Sequence, residues 1–203
     1  MRHIGTQRLE TERLTLRKLL PADAPQMYQG WASDPEVTRW LRWEPHRDAA
    51  QTAALLEAWA LLYPNNDYYQ WAIAETAGGR LVGTISLFYS AQGRDLDAAA
   101  WRRPGVEILG GVWQAGYCIG RPWWGRGYAT EALRAVTAFW FEQVGGPWLA
   151  CAHAAANPAS GRVMEKAGFT FDHTDIYKKF DGTPVDCRVC VLTRAEYEER
   201  NRI

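Results

Sequence analysis

A glycine-punctuated turn between a predicted strand and a predicted helix carries the clearest chemical signal in this chain. The segment from Tyr117 to Ala132 reads YCIGRPWWGRGYATEA. Gly125 and Gly127 have no Cβ, so the backbone around them can approach a ligand closely. The helix that follows presents unpaired N–H groups and the positive end of its dipole at the same place. These features predict an anion-binding site, for which phosphate is a natural occupant.

Two familiar phosphate-binding motifs do not fit this turn. The P-loop motif needs a Lys and then a Ser or Thr after its last Gly, but Arg126 and Gly127 follow Gly125 here. The dinucleotide fingerprint needs a third Gly or Ala three residues after Gly127, where Thr130 stands. Neither motif therefore explains the turn.

The turn does resemble the pyrophosphate loop of the GNAT acetyltransferase superfamily, whose pattern is Q/R-x-x-G-x-G/A. From Trp124 to Ala129 the chain reads WGRGYA, with Trp124 in place of the Gln or Arg. The longer form W-G-x-G-Y-A-T-E-A-L resembles the RimJ/RimL-like branch, which acetylates amino groups of proteins and of some small molecules.

A second block supports the same resemblance. Asn157 to Phe169 reads NPASGRVMEKAGF, similar to the branch pattern N-x-x-S-x-x-x-x-E-K-x-G-F. The stretches from Leu9 to Arg17 and from Asp34 to Val37 also resemble this branch, so the likeness covers roughly residues 8 to 197. Two blocks in the expected order argue against a chance match.

Composition agrees with one ordinary globular domain over residues 1–203. The chain is 47% hydrophobic and 23% charged, which is enough apolar material for a full core. With 23 basic and 23 acidic residues the net charge is zero, so no global field attracts nucleic acid or an anionic membrane. The chain has no apolar run of about 18 residues and no signal-peptide pattern, which predicts a cytoplasmic protein.

The four cysteines are predicted to be core residues. Cys187 and Cys190 have CxxC spacing, but they lie in a predicted strand, where residues three apart point to opposite faces. That geometry disfavours a disulfide or a shared metal ion. Cys118 and Cys151 lie in apolar strand contexts, where a free thiol behaves as a small hydrophobe. We expect no metal.

The pattern of apolar residues and turn signals predicts alternating strands and helices. We expect a turn-rich surface insertion from Ala91 to Gly105. We expect a hairpin at Gly78-Gly79 and another at Asp181-Gly182. The predicted strands are 13–17, 69–75, 81–89, 106–119, 148–153, 174–180 and 185–192, and Gly110-Gly111 is a potential interruption of the strand at 106–119. The predicted helices are 23–31, 48–62, 129–144 and 158–167. The resemblance adds a fold class: α/β (α+β), with a mixed, mostly antiparallel sheet, flanking helices and splayed central strands.

The resemblance implies acetyl-coenzyme A as cosubstrate. Its pyrophosphate would bind the loop amides and the Thr130 hydroxyl, and its pantetheine would lie between Tyr117–Ile119 and Cys151–His153. Backbone N–H groups near Cys118 and Ile119 would polarise the acetyl carbonyl. Asn157 is either a helix N-cap or a pantetheine ligand, and the two are compatible. The cofactor-binding residues implied are Tyr117, Cys118, Ile119, Trp124, Gly125, Arg126, Gly127, Tyr128, Ala129, Thr130, Asn157 and Ser160.

Ser160 matches the family position that is proposed to protonate the departing thiolate. The general base is less clear, because Gln114 stands where many relatives have a Glu, and an amide is a poor proton acceptor. Glu107, upstream on the same predicted strand, is our candidate. His153, His173 and Asp186 lie in or near predicted strands that border the cleft, and a water relay to any of them would serve.

Eleven tryptophans are unusual for this length. Most should lie in the core, and one or two could shape acceptor specificity through apolar contact or cation–π attraction. Those in the segment that covers the acceptor side in relatives are Trp31, Trp40, Trp43, Trp59 and Trp71.

The resulting hypothesis is an acetyl-CoA-dependent N-acetyltransferase. It would move the acetyl group to a primary amine, either a protein N-terminus or a small molecule, by direct attack on the thioester. A coenzyme A-binding module without turnover is the alternative, favoured by Gln114; a structural α/β protein without such a ligand is a third. The resemblance also implies a homodimer.

Overall fold

One mixed sheet forms the centre of the protein. The computed structural model describes residues 1–91, 101, 103–108 and 110–202. The strands within these ranges are β1 (Leu9–Glu10), β2 (Leu14–Arg17), β3 (Tyr69–Glu75), β4 (Leu81–Ala91), β5 (Gly111–Ile119), β6 (Trp148–Ala154), β7 (Thr170–Lys178) and β8 (Pro184–Thr193). In the described part of the chain they form a single eight-stranded sheet in the order β1-β2-β3-β4-β5-β6-β8-β7.

The sheet is antiparallel except at its middle. Strands β5 and β6 pair in parallel, and each of the other neighbours pairs antiparallel. A parallel pair needs a crossover, and the chain supplies one that contains a helix between β5 and β6. The predicted mixed, mostly antiparallel sheet is therefore confirmed.

Helices flank the sheet. They are α1 (Ala24–Met27), α2 (Pro35–Thr38), α3 (Ala49–Ala60), α4 (Tyr128–Ala138), α5 (Pro158–Ala167) and α6 (Arg194–Arg200). Short 3₁₀ turns occupy Pro21–Asp23 and Arg121–Trp123, and π-helical turns occupy Tyr28–Ala32 and Phe139–Val144. Among the residues described, no helix has the length and apolar content needed to span a bilayer.

The two faces of the sheet carry separate apolar clusters. On one face, Leu133, Phe139 and Trp140 from α4 and its π-helical extension pack against β2 to β5. On the other face, Trp31 and Leu56 pack with residues of β3, β4 and β5. Strand residues alternate between the faces, so side chains one position apart along β5 serve different clusters.

Most predicted elements are confirmed, within a few residues at their ends. The hairpin turns lie where expected, and Gly145, in the left-handed conformation, ends the helix that begins at Tyr128. Helix α6 was missed, although Thr193 and Glu196 form a capping box at its start. Most of the predicted insertion from Ala91 to Gly105 lies outside the described residues.

The prediction that the central strand begins at Val106 is wrong. The strand begins at Gly111, because Gly110 takes φ +89° and interrupts the extended backbone there. Gly111 pairs with Ala91, the last residue of β4. Glu107 therefore lies in the segment before β5, where it is exposed, and not on the strand as expected.

Candidate functional site

The glycine turn leads directly into a helix, as its sequence predicted. Gly125 has φ +75° and Gly127 has φ +81°, both in the left-handed region that favours glycine. Gly127 is the N-cap of α4 and makes no side-chain cap. In the part of the chain that the structure describes, the backbone N–H groups of Gly125, Arg126 and Gly127 have no acceptor. These amides are available to an anionic ligand.

Trp124 ties this turn to the end of β5. Its indole Nε1 donates a hydrogen bond to the Ile119 carbonyl at 2.7 Å. Trp124 thus contributes a fixed contact at the position where relatives have Gln or Arg. Part of its ring stays exposed and lines the cleft described below.

Strands β5 and β6 separate before β5 reaches the turn. The parallel pairing of β5 with β6 covers Gln114 with Ala150 and Ala115 with Cys151, and then stops. Strand β5 stays paired with β4 as far as Ile119, and β6 stays paired with β8 as far as Ala154. The two strands therefore splay apart between intact neighbours, and the gap is a feature of the sheet itself.

A cleft of about 1200 Å³ runs from the glycine turn through this gap to the other face of the sheet. It is lined by residues of the turn and the first turn of α4, by both sides of the gap, and by the start of α5. Of the expected cofactor-binding residues, these line it: Tyr117, Cys118, Ile119, Trp124, Gly125, Gly127, Tyr128, Ala129, Thr130, Asn157 and Ser160. Arg126 is exposed and does not line the cleft.

Ser160 faces Tyr117 across the gap. The Tyr117 hydroxyl lies 2.8 Å from Ser160 Oγ and 2.9 Å from the Ser160 carbonyl oxygen. Burial raises the pKa of Tyr117 well above its ordinary value, so this phenol stays protonated and can donate. The phenol has one proton: when it goes to the Ser160 carbonyl, Ser160 Oγ donates to Tyr117, and when it goes to Ser160 Oγ, the serine proton is available to another partner.

Asn157 caps α5, as its sequence position predicted. Its Oδ1 accepts from the Ser160 backbone N–H at 3.3 Å, Pro158 follows at the first helical position, and Gly168 ends the helix with φ +104°. The cap sets where Ser160 lies in the first turn. Asn157 also lines the cleft, so pantetheine binding stays open alongside capping.

The candidate bases lie in different surroundings. Gln114 donates from Nε2 to Ser90 Oγ at 3.0 Å and lines the cleft. Glu107 is exposed and is not among the cleft-lining residues. Asp186 is exposed as well, and its carbonyl accepts from Ala155 N. The structure thus does not bring Glu107 or Asp186 to the cleft wall.

The two histidines also differ. His153 is buried, lines the cleft and has Nδ1 2.8 Å from the Ala154 carbonyl, so Nδ1 carries the proton and Nε2 is the free acceptor. Nε2 lies against α5, where a Cβ on Gly161 would be only 2.8 Å away. His173 instead pairs with Asp172 at 2.7 Å and does not line the cleft.

Aromatic side chains surround the end of the cleft opposite the glycine turn. Trp40, Trp43 and Trp59 line it, whereas Trp31 and Trp71 are fully buried. The prediction that most tryptophans lie in the core is wrong, since five of the eleven are buried: Trp31, Trp71, Trp101, Trp140 and Trp148. That one or two shape acceptor specificity stays a prediction. Further aromatic residues that line it, and that sequence reasoning did not single out, are Tyr68, Phe88, Tyr89, Trp113, Tyr177 and Phe180.

Comparison with known proteins decides the family. The family model described as "Acetyltransferase (GNAT) domain" matches residues 13–170, which is most of the chain. This protein belongs to the GNAT acetyltransferase family. It is therefore an N-acetyltransferase, as the sequence predicted.

Relatives of this acetyltransferase match along nearly the whole chain. The uncharacterized N-acetyltransferase YoaA of Bacillus subtilis is 29% identical over 187 residues, which cover 92% of this chain and 96% of YoaA. A GNAT-family acetyltransferase from Bacillus anthracis has the same fold, with a TM-score of 0.72, 17% identity, and coverage of 93% of this chain and 99% of that one.

A third structure is the microcin C7 self-immunity acetyltransferase MccE, in complex with acetyl-CoA and AMP. It matches this acetyltransferase with a TM-score of 0.70 and 14% identity, covering 90% of this chain and 93% of MccE. At that identity the likeness concerns the fold.

The cysteines of this acetyltransferase behave as predicted. All four are buried and free. Burial raises the pKa of the Cys187 thiol to about 11, and it also raises those of Cys118, Cys151 and Cys190. The described residues contain no group of three His, Cys, Asp or Glu side chains that could hold a metal ion.

Sequence reasoning missed one polar network at the loop. Arg13 and Thr11, in the turn between β1 and β2, bind the carboxylate of Glu131 in the first turn of α4. Glu131 is 118 residues from Arg13 along the chain. No local pattern could reveal such a contact, although both residues belong to segments that resemble the family.

Proposed function

We propose that this acetyltransferase takes the acetyl group of acetyl-CoA and transfers it to a primary amine by direct attack on the thioester. The observation that carries the proposal is the continuous cleft from the glycine turn, through the gap between β5 and β6, to the aromatic end. Such a cleft lets a long cofactor enter on one face and an acceptor approach from the other.

In this proposal the cofactor is held mainly by backbone groups. The amides of Gly125, Arg126 and Gly127 receive the pyrophosphate, together with the first turn of α4 and the Thr130 hydroxyl. Pantetheine then lies in the gap between the separated strands. The acetyl-CoA in MccE is consistent with this use of the fold.

Strand alternation refines which amides polarise the acetyl carbonyl. Gly120 N bonds to β4 at Val82 O, whereas the Ala115 carbonyl faces β6, where Cys151 Sγ donates to it at 3.1 Å. Because successive residues point to opposite edges of a strand, the N–H groups of Tyr117 and Ile119 face the gap. The amide of Cys118 faces β4 instead. We assign carbonyl polarisation to the first two.

The reaction needs one bond made and one broken. The amine nitrogen attacks the carbonyl carbon, the C–S bond breaks, and the coenzyme A thiolate takes a proton. Ser160 supplies that proton in this proposal, and the Tyr117 hydroxyl beside it orients the serine. The amine must also lose a proton. His153 Nε2, Glu107 through water, or bulk water are the remaining acceptors, and of the two side chains His153 is favoured because it lines the cleft and Glu107 does not.

The proposal also concerns which class of amine accepts the acetyl group. Aromatic walls formed by Trp40, Trp43 and Trp59 suit the apolar part of an amine or its cation through π contact. A protein N-terminus and a small-molecule amine both remain acceptors to test. The RimJ/RimL-like branch, a cytoplasmic location and a homodimer likewise remain predictions.

Thiol release from acetyl-CoA with a panel of amines tests the proposal. The panel should include peptides with different N-terminal residues, amino acids, polyamines and aminoglycosides. We expect release that depends on one class of amine and yields its N-acetyl product by mass spectrometry. Tight coenzyme A binding without amine-dependent release across the panel would instead favour a binding module without turnover.

A further inference from the structure

The hairpin at the start of the chain reaches the glycine turn through one arginine. Arg13 lies between β1 and β2, and its Nε and Nη2 donate to Glu131 Oε2 at 2.8 and 2.5 Å. Its Nη1 donates to the Arg126 carbonyl at 3.0 Å. The guanidinium Cζ lies 4.8 Å from the centre of the Tyr128 ring. One side chain therefore contacts the turn and the first turn of α4 together.

The Glu131 carboxylate accepts several hydrogen bonds, although it lies on the surface of a helix. Besides the guanidinium, the Arg13 backbone N–H donates to Oε1 at 3.0 Å and the Thr11 hydroxyl donates at 2.6 Å. Burial alone would raise the pKa of Glu131, but these hydrogen bonds and the Arg13 charge outweigh it and hold the pKa below its ordinary value. Glu131 is therefore ionised at neutral pH.

An ionised carboxylate at this position opposes the binding of another anion. Glu131 N bonds to Gly127 O, so the residue lies one turn from the amides proposed to bind pyrophosphate. A negative charge at the N-terminus of a helix stabilises the helix, but it also competes for the same positive potential. Tyr128 donates to Glu75 at 2.8 Å, which brings a second carboxylate near. Without a cation, this end of α4 would lose much of its attraction for phosphate.

Arg13 is placed to reduce the repulsion between Glu131 and a bound phosphate. A Cβ on Gly127 would lie 3.5 Å from Arg13 Nη2, so the guanidinium borders the turn itself. Its hydrogen bond to Arg126 also turns a carbonyl oxygen toward the arginine. Arg13 thus neutralises the Glu131 carboxylate and also occupies the Arg126 carbonyl oxygen, on the side of the turn that faces the hairpin.

We propose that Arg13 is a positioning residue for the cofactor: it neutralises Glu131 and thereby preserves the affinity of the glycine turn for the pyrophosphate of coenzyme A. This inference rests on the proposed function, since it assumes that coenzyme A is the ligand of the turn. It assigns Arg13 a role in cofactor affinity and none in the acetyl transfer step.

A double-mutant cycle on Arg13 and Glu131 separates this role from a purely structural one. Calorimetry should measure the Kd of coenzyme A for wild type, Arg13→Ala, Glu131→Gln and the double variant. We expect Arg13→Ala to raise Kd about tenfold, because it exposes the turn to an uncompensated carboxylate. Adding Glu131→Gln should bring Kd back to within about threefold of wild type, since the repelling charge is then gone.

The controls keep the result interpretable. Arg8→Ala removes the same charge beside the same hairpin, but Arg8 pairs with Glu10 and not with Glu131 or the Arg126 carbonyl, so Kd should not change. With S-acetylpantetheine as substrate, which lacks pyrophosphate, Arg13→Ala should leave kcat/KM near its wild-type value. Thermal unfolding checks each variant, and Arg13→Gln replaces Arg13→Ala if the latter does not fold.

Two outcomes would overturn the inference. One is an unchanged Kd in a folded Arg13→Ala or Arg13→Gln variant. The other is a double variant that binds as weakly as Arg13→Ala, which would mean that the lost contacts matter and the charge of Glu131 does not. Failure of the wild-type protein to bind coenzyme A is a different result, since it would overturn the proposed function and this inference with it.

Discussion

The hydroxyl of Tyr117 on β5 lies 2.8 Å from the hydroxyl of Ser160 on α5, across the gap where β5 and β6 separate. The same phenol is 2.9 Å from the Ser160 carbonyl. A tyrosine has one hydroxyl proton, and burial raises the pKa of Tyr117, which keeps that proton in place. The pair therefore acts as one hydrogen-bonded unit at the wall of the cleft.

This unit predicts a non-additive effect on catalysis. Ser160→Ala should lower kcat by about 10²-fold, the lower part of the range for loss of a general acid, because a thiolate is a tolerable leaving group. Tyr117→Phe should lower kcat by about tenfold, since it removes only the orientation of the serine. The double variant should be no slower than Ser160→Ala, as expected for residues that act together.

Steady-state kinetics with a verified acceptor measures both variants, and the Kd of coenzyme A should stay within about threefold of wild type. Tyr28→Phe is a matched control: its hydroxyl donates to the Arg47 carbonyl and it does not line the cleft. An unchanged kcat in Ser160→Ala, with chemistry shown to limit turnover, would remove Ser160 from the mechanism.

The glycine turn predicts a loss of cofactor binding. Gly127→Glu places a carboxylate beside the free amides and forces a side chain into a φ of +81°. We expect coenzyme A binding to become undetectable by calorimetry. Gly145→Glu, at φ +80° with no atom near its Cβ, carries the same strain and charge at the opposite end of the same helical segment and serves as control. Wild-type affinity in a folded Gly127→Glu protein would contradict the assignment of the turn.

Local signals predicted the parts of this protein that local interactions determine. Gly125 and Gly127 in a turn before a helix, and Asn157 with Gly168 at the ends of α5, act within a few residues, so the turn and the two ends of α5 could be predicted from spacing alone. The strand β3 was predicted with its observed ends because its apolar pattern lies between clear turns.

What depends on distant contacts was harder to predict. The pairing of β8 between β6 and β7 and the separation of β5 from β6 follow from the packing of the whole sheet, and only the family resemblance suggested the gap. The residue spacing does not indicate that Arg13 meets Glu131. Glu107 was misplaced for a local reason: the strand was predicted to run from Val106 through the Gly110-Gly111 pair, but Gly110 takes a left-handed conformation and the strand begins only at Gly111.

The buried side chain of His46 predicts that the protein becomes less stable in acid. His46 is buried, and its Nδ1 lies 2.8 Å from Thr52 Oγ1. Desolvation lowers its pKa, an effect only partly opposed by Asp48. The folded state thus binds fewer protons than the unfolded chain, where the pKa is near 6.5. The contribution of His46 is present above that pH and is lost as pH falls below it.

The free energy of unfolding should therefore decrease between about pH 7 and pH 5. In His46→Gln the slope over this window should be smaller than in wild type, measured by denaturant unfolding at several pH values. His3, whose pKa burial also lowers, should account for part of the remaining slope. An identical slope in His46→Gln and wild type would show that the protonation of His46 is not linked to folding.

Replacing Asn157, the cap of α5, should affect folding stability and the KM for acetyl-CoA in different ways. Asn157→Ala removes the oxygen that accepts from Ser160 N, which should destabilise the protein by about 1 kcal/mol. Asn157→Asp and Asn157→Ser retain a capping oxygen, so both should recover most of that stability in denaturant unfolding. If Asn157 also binds pantetheine through its amide N–H, neither replacement should recover the KM for acetyl-CoA. Recovery of KM by both, in parallel with stability, would mean that Asn157 acts on the cofactor only by holding the first turn of α5 and Ser160 in place.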